Sequence, residues 1–434
     1  MSYNICKHSR KAFDFSGMLL KTGIINMVKF VMILIVFIAL SFLASCTAAP
    51  QYDLQPYAPP AIQEHVYIAH PLPSPTKPPP ESGTELAEFD KKRQFIDTLI
   101  GNMSLEAQVS QLFILSLHTA FTYPSYDLER FISESEAGGY ILFGNNITTF
   151  EGTRALTDSI IEFSALPPFI GIDEEGGTVS RLRGVPGYAP QPTAREVGAS
   201  GDAINAYNAG SIIGEALLTI GVNVNFAPVA DVLVNPQNRV IGSRSFGVDP
   251  DLVSDMVSAF QAGLHSQGIM SAPKHFPGHG STAEDSHFGA AIIQSSLDNL
   301  SSVEYKPFIR AINEGAAFIM TGHIIAPEID NLPATLSRYF ITDVLRNALG
   351  FNGIIVTDAM NMGAITDYHT CADAAVMAIL AGVDMILMPK DFDDAVSGIL
   401  QALSDGTLPH ARIHESLRRI LSTKIAAGLI DFSY

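Results

Sequence analysis

The chain has 434 residues, 47% hydrophobic and 16% charged, which excludes collagen-like, fully disordered and coiled-coil architectures and allows a large buried core. Its 26 Lys and Arg against 44 Asp and Glu give a net charge of −18, which repels polyanions, argues against a nucleic-acid partner and leaves neutral sugars or peptides open. Three cysteines, Cys6, Cys46 and Cys371, are too few and too scattered for a disulfide framework.

The N-terminal region carries a targeting signature. From Phe30 to Ala44 the chain reads FVMILIVFIALSFLA, an unbroken, weakly polar run of fifteen residues behind Lys29. A membrane span needs about 20 residues, so this run fits the core of a signal peptide better. It ends in Leu43-Ala44-Ser45-Cys46, which resembles the bacterial lipoprotein cleavage box. Residues 1–46 are therefore expected to be an N-terminal extension and signal peptide, with Met27 as the start and cleavage before a lipidated Cys46. An uncut signal anchor is the alternative. Processing would leave Cys371 as the lone thiol, expected to be a small buried hydrophobe rather than a nucleophile. Residues 47–90 hold ten of the 26 prolines and little apolar periodicity. Such a stretch stays extended and, at about 3.1 Å per residue, tethers a folded domain up to roughly 130 Å from the lipid. The expected location is the cell membrane, lipid-anchored and extracytoplasmic.

From Lys91 onward, strand-length apolar runs recur at Val109–Leu117, Gly139–Phe143, Phe169–Ile172, Val222–Ala230, Gly268–Ala272, Ala317–Met320, Gly353–Val356 and Val383–Leu387. Helical segments such as Tyr207–Leu218, Leu252–Ser266 and Ala372–Leu380 lie between them. Near-continuous apolar strands alternating with amphipathic helices mean a parallel sheet covered by helices. Eight units predict an α/β fold, a single (β/α)8 TIM barrel over 91–434, with an open doubly wound sheet as the alternative. In a barrel the chemistry gathers at the C-terminal strand ends. The residues there are polar: His118, Asn145, Asn146, Asp173, Glu174, Glu175, Asp231, Lys274, His275, His323 and Asp358. Asn145 and Asp231 are equally suited to capping the following helix.

Three segments carry chemistry. Lys274-His275-Phe276-Pro277-Gly278-His279-Gly280 runs on to Asp285-Ser286-His287, a bent loop at a strand end with an acid two residues before an imidazole, as proton transfer needs. His275, His279, Asp285 and His287 are also conceivable metal ligands, but Lys274 and the nearby arginines repel a cation, so no metal or other cofactor is expected. Asp358 leaves an apolar strand in VTDAMNMGAI, a fixed position suited to a carboxylate nucleophile and, taken alone, equally to a helix cap. Three acids beside two glycines in IDEEGG, with Arg181 eight residues after Asp173, suit hydrogen bonding to sugar hydroxyls.

IDEEGG with its later arginine, SRSFG, KHFPGHG with DSH, and VTDAMNMGAI, in this order on one chain, resemble glycoside hydrolase family 3, specifically its bacterial β-N-acetylglucosaminidases. The resemblance covers about 91–434. It implies Asp358 as nucleophile, His287 as general acid/base and Asp285 as its partner. It also implies Asp173, Arg181, Arg244, Lys274 and His275 around the bound sugar, with His279 structural. Larger members add a second domain that donates a carboxylate acid/base, and this chain follows the single-barrel, Asp-His type. After His287 it reads Phe288-Gly289-Ala290-Ala291, blander than the polar or proline-containing continuation of relatives.

The resemblance thus implies an exo-acting, retaining hydrolase of terminal β-N-acetylglucosamine; the expected substrate is a peptidoglycan fragment, and the chain is expected to act as a monomer, lipid-anchored through Cys46 of the cleavage box. A histidine base avoids a second full negative charge near Asp358 and could admit phosphate as acceptor, giving a phosphorylase. A β-glucosidase or β-xylosidase on the same site, attack by the 2-acetamido group assisted by Asp173-Glu174, and a silent sugar-binding lipoprotein are the other readings.

Overall fold

The computed structural model describes residues 83–117, 125–282, 291–293 and 296–432, all within one unit of the chain, His70–Tyr434. Cys46, His118, Asp285 and His287 lie outside the described residues, as does the expected signal peptide. The helix Gly83–Asn102 begins inside the segment read as tether, so the last residues of that segment belong to folded structure.

Strands β1 (Phe113–Ser116), β2 (Gly139–Leu142), β3 (Phe169–Ile172), β4 (Val224–Asn225) and β5 (Met270–Ser271) pair in parallel and in chain order, with β8 (Ile386–Leu387) on the far side of β1. β6 (Phe318–Thr321) and β7 (Ile354–Thr357) form a parallel pair. Single parallel bridges, Phe276↔Thr321 and Val356↔Met385, carry the pairing from the β5 connection to β6 and from β7 to β8. The result is a curled, TIM-like α/β domain rather than a flat open sheet.

Why these residues form these elements is mostly local. β1, β2, β3, β6 and β7 are runs of apolar residues whose interior positions are inaccessible, as strands covered on both faces must be. The helix Pro250–Ser266 starts with Asp249 accepting from the Asp251 N–H at 2.9 Å and with proline at its first position, where no N–H is needed. Thr370 caps Cys371–Ala381 in the same way, through the Asp373 N–H at 3.1 Å. Cys371 is half-buried at that helix start rather than a core hydrophobe. Inside the sheet, Phe169 meets Phe318 edge-on at 5.0 Å, and each such fully buried ring stabilises the fold by about 1.5–3 kcal/mol.

The run Val109–Leu117 is not all strand. Ser104 accepts from the Ala107 N–H at 3.0 Å and starts the helix Leu105–Ser110, so pairing begins only at Phe113. Val222–Ala230 contributes just two strand residues because Pro228 has no N–H to donate, and pairing resumes as a single bridge at Val229.

Candidate active site

The loop after β3 is built on a tight turn. Gly177 has φ +56, and a Cβ there would stand 2.5 Å from the Thr193 side chain, so the turn depends on glycine. The Glu175 N–H donates to the Val179 carbonyl at 2.9 Å, folding the chain back on itself. Glu174 staples the return: its Oε2 accepts from the Arg181 and Leu182 N–H groups at 2.7 and 3.0 Å, and its Oε1 accepts from the Tyr188 hydroxyl at 3.1 Å. Glu174 therefore shapes the loop, while its neighbours on either side face the rim.

Asp173 and Glu175 both reach the buried Nζ of Lys274, at 2.7 Å each. Glu175 also takes a bidentate pair from Arg244, Nε to Oε2 and Nη2 to Oε1, at 2.8 Å. Burial opposes ionisation of Glu175, but Arg244 and Lys274 outweigh it and hold its carboxyl well below the usual range. Lys274 is likewise held charged, since Asp173 and Glu175 overcome the penalty of its burial. Arg181 lies 3.4 Å from Asp173 Oδ2 and stacks over the Phe143 ring at 5.2 Å, which fixes the guanidinium plane at the rim.

The segment 274–282 is anchored from below by Asp231, which is fully buried. It is no helix cap: it accepts from His275 Nδ1 at 2.8 Å and from the His275 and His279 N–H groups at 3.2 and 2.7 Å. With Nδ1 turned to the carboxylate, His275 Nε2 points the other way, where Arg244 Nη2 lies 3.5 Å from it. His279 is buried, with Nδ1 2.9 Å from the Thr282 hydroxyl, and burial lowers its pKa. This agrees with a structural part for it.

Asp358 follows β7 and is half-buried at the strand mouth. Its own N–H donates to the Thr321 carbonyl at 2.8 Å, and its Oδ1 accepts from the Ala359 N–H at 2.8 Å. The next carbonyl, of Ala359, accepts from His323 Nε2 at 3.0 Å, while His323 Nδ1 sits 2.9 Å from the Thr335 hydroxyl. The peptide carrying Asp358 is thus clamped on both sides, and no described residue donates to Oδ2. Burial opposes its ionisation, yet the imidazoles of His275 and His323, the Ala359 N–H and Lys274 together hold the carboxyl below its ordinary value.

Five sequence-derived residues, Asp173, Arg181, Arg244, Lys274 and His275, therefore share one network, and Asp358 lies within its electrostatic reach. Sequence reasoning missed the bridging part of Glu175, the anchoring part of Asp231, the clamp from His323 and the ring of Phe143. Only the position of the first three after apolar strands hinted at them. Among the described residues no three His, Cys, Asp or Glu are grouped to hold a metal, and no helix is long and apolar enough to cross a membrane.

Three carboxylates, Asp173, Glu175 and Asp358, lie at a rim that carries three cations, Arg181, Arg244 and Lys274. A rim with so many fixed donors and acceptors, at the strand mouths where a TIM-like frame gathers its chemistry, suits a neutral, hydroxyl-rich ligand. Residues 104–423 match the glycosyl hydrolase family 3 N-terminal domain, and the chain belongs to that family. It is 35% identical over 333 residues to a β-hexosaminidase A of Pseudoalteromonas piscicida, covering 69% of this chain and 55% of that protein. A family 3 β-N-acetylglucosaminidase structure from Paenibacillus sp. str. FPU-7 superposes with TM-score 0.73 at 35% identity, covering 76% of this chain and 64% of that one. A β-N-acetylhexosaminidase structure from Beutenbergia cavernae gives TM-score 0.67 at 30% identity, over 75% of this chain and 99% of that one. The chain thus spans well under two thirds of the Pseudoalteromonas relative and nearly all of the Beutenbergia one.

Proposed function

We propose that this chain is a retaining, exo-acting β-N-acetylglucosaminidase on a (β/α)8 barrel, with Asp358 as nucleophile and His287, oriented by Asp285, as general acid/base. The observation that carries the reading is the contrast at the rim: Asp358 keeps an oxygen without a described donor, beside a network in which Lys274, Arg244 and the acids are locked together. Asp358 Oδ2 attacks C1 as the bond to the aglycone oxygen breaks, and His287 gives its proton to that oxygen. Water then attacks C1, returns a proton to His287 and releases Asp358. Asp173, Arg181, Arg244, Lys274 and His275 hold the sugar hydroxyls in place while charge develops at C1.

The near balance of charge at the rim and the relatives named for hexosaminidase activity support an N-acetylglucosaminide over an acidic sugar. The natural substrate in this reading is a peptidoglycan fragment, met outside the cell membrane by a monomer anchored through lipid on Cys46. A panel of chromogenic β-glycosides tests the activity. N-acetylglucosaminide turnover should exceed glucoside and xyloside turnover, in phosphate-free buffer as well as with phosphate. Turnover of the glucoside alone, or none of any glycoside, would refute it. Membrane attachment that persists, uncleaved, in Cys46→Ser would refute the anchor.

A further inference from the structure

One buried carboxyl beneath the 276–282 loop has no part in the chemistry above. Glu304 closes a π-helical turn, Leu300–Glu304, ahead of the helix Tyr305–Asn313. Such turns often set a side chain at a functional position. The Ser281 hydroxyl donates to Glu304 Oε1, whereas the buried Oε2 has no partner. Gly278 approaches so closely that a Cβ there would stand 2.5 Å from Oε2 and 2.7 Å from the Glu304 Cβ. Phe276 stacks on Tyr305 at 5.5 Å and meets Phe308 edge-on at 5.4 Å, so the loop and this helix form one packed unit.

The opposite side of the loop is held by three hydrogen bonds. Asp231 accepts from the His279 N–H, Asn238 Nδ2 donates to the His279 carbonyl at 2.8 Å, and the Asn235 N–H donates to the Gly280 carbonyl at 3.0 Å. Glu304 supplies the other side with a carboxyl that faces Ser281 from the loop and the negative Asp231 from the β4 connection, with no described Lys or Arg acting on it. An ionised Oε2 would be a bare buried charge within electrostatic reach of a second carboxyl group, whereas a protonated one needs no counter-charge.

We propose that Glu304, in its protonated form, is the positioning residue that seats the 276–282 loop, and that its ionisation unseats the segment leading to Asp285 and His287. Burial pushes the Glu304 carboxyl up to about 8, Ser281 draws it back, and Asp231 raises it further. The effect on stability follows by linkage. Between the unfolded-state value and about 8 the folded chain keeps a proton that the unfolded chain has lost, so stability declines as pH rises across that window and levels off above it.

The inference rests on the proposed assignment of this loop to acid/base work, and its test separates the two. Glu304→Gln copies the neutral acid. Its unfolding midpoint should gain on the wild type by several degrees from pH 5 to pH 8 and no further above pH 8, a readout that needs no turnover. At pH 7, amides of 276–282 should exchange about tenfold faster in Glu304→Ala than in wild type, with Glu304→Gln matching wild type. Glu304→Ala should also slow an alkyl N-acetylglucosaminide, which needs its leaving oxygen protonated, about tenfold more than a dinitrophenyl one. A pH-independent difference in midpoint between Glu304→Gln and wild type would overturn the proposal, as would equal loop exchange in all three proteins or equal slowing of both substrates. A protein inactive on every glycoside would sink the catalytic assignment, leaving the midpoint and exchange data to decide the seating.

Discussion

Asp358 and Asp384 stand at opposite ends of adjoining strands and show what separates a reactive carboxylate from a structural one. Asp384 precedes β8 and is fully buried. Its Oδ1 accepts from Arg412 at 3.4 Å, Arg419 at 3.0 Å and the Ser416 hydroxyl at 2.8 Å, and its Oδ2 from Arg346 at 2.6 Å and the Ile355 N–H at 3.1 Å. Two of those guanidiniums spend their other N–H groups on backbone carbonyls: Arg346 on Gly353 and Phe351, Arg412 on Ile379 and Val383. Asp384 has no lone pair left for a ligand. Asp358 receives a single backbone donor on one oxygen and is half-buried. Burial opposes ionisation of both, and neighbouring groups reverse the effect in both, so a depressed pKa alone does not mark the site. Unspent hydrogen-bonding capacity at an open strand end does.

That contrast can be broken by exchange of function for stability. Asp358→Ala should lower kcat/KM about 10⁴-fold, since the covalent route is lost, while the unfolding midpoint changes by a degree or two at most. A large fall in the midpoint would make Asp358 a second structural acid. Asp384→Ala should show the reverse, with about 3–5 kcal/mol lost in urea titration because three arginines lose their shared partner, and KM of the folded fraction unaltered.

Lys274→Met combines both outcomes and sharpens the comparison. It leaves Asp173 and Glu175 without a shared cation, and kcat/KM should drop about 10²-fold with a raised KM and a measurable stability loss. An effect on stability with unchanged kinetics would move the lysine from the site to the frame. His323 gives the smallest expected effect, for it acts through the Ala359 carbonyl. His323→Ala should lower kcat about tenfold at unchanged KM, and His323→Gln, which keeps an N–H donor, should recover most of it.

Much of the frame was legible from the chain. Phe169–Ile172 was read with its observed bounds because an apolar run is closed by Pro168 on one side and Asp173 on the other. Tyr207–Leu218 lies within the helix Ala203–Thr219. Val109–Leu117 misled because a buried helix turn and a buried strand have the same composition over so few residues, and only the Ser104 cap separates them. Within the site, the residues directly after strands were found by position. Asp231, His323 and Glu304 were not assigned their parts, for a physical reason: their partners are backbone or side-chain groups 12 to 48 residues away in the chain. Such partners carry no local pattern and become visible only when the loops converge.

The decisive question is which atom of the protein bonds to the sugar. Incubation with a fluorinated N-acetylglucosaminide that accumulates the glycosyl-enzyme, followed by peptide mass spectrometry, reads this directly. One glycosyl unit should appear on the peptide containing Asp358 and be absent from Asp358→Ala. A label on any other residue, or continued turnover by a chain that never becomes labelled, would contradict it.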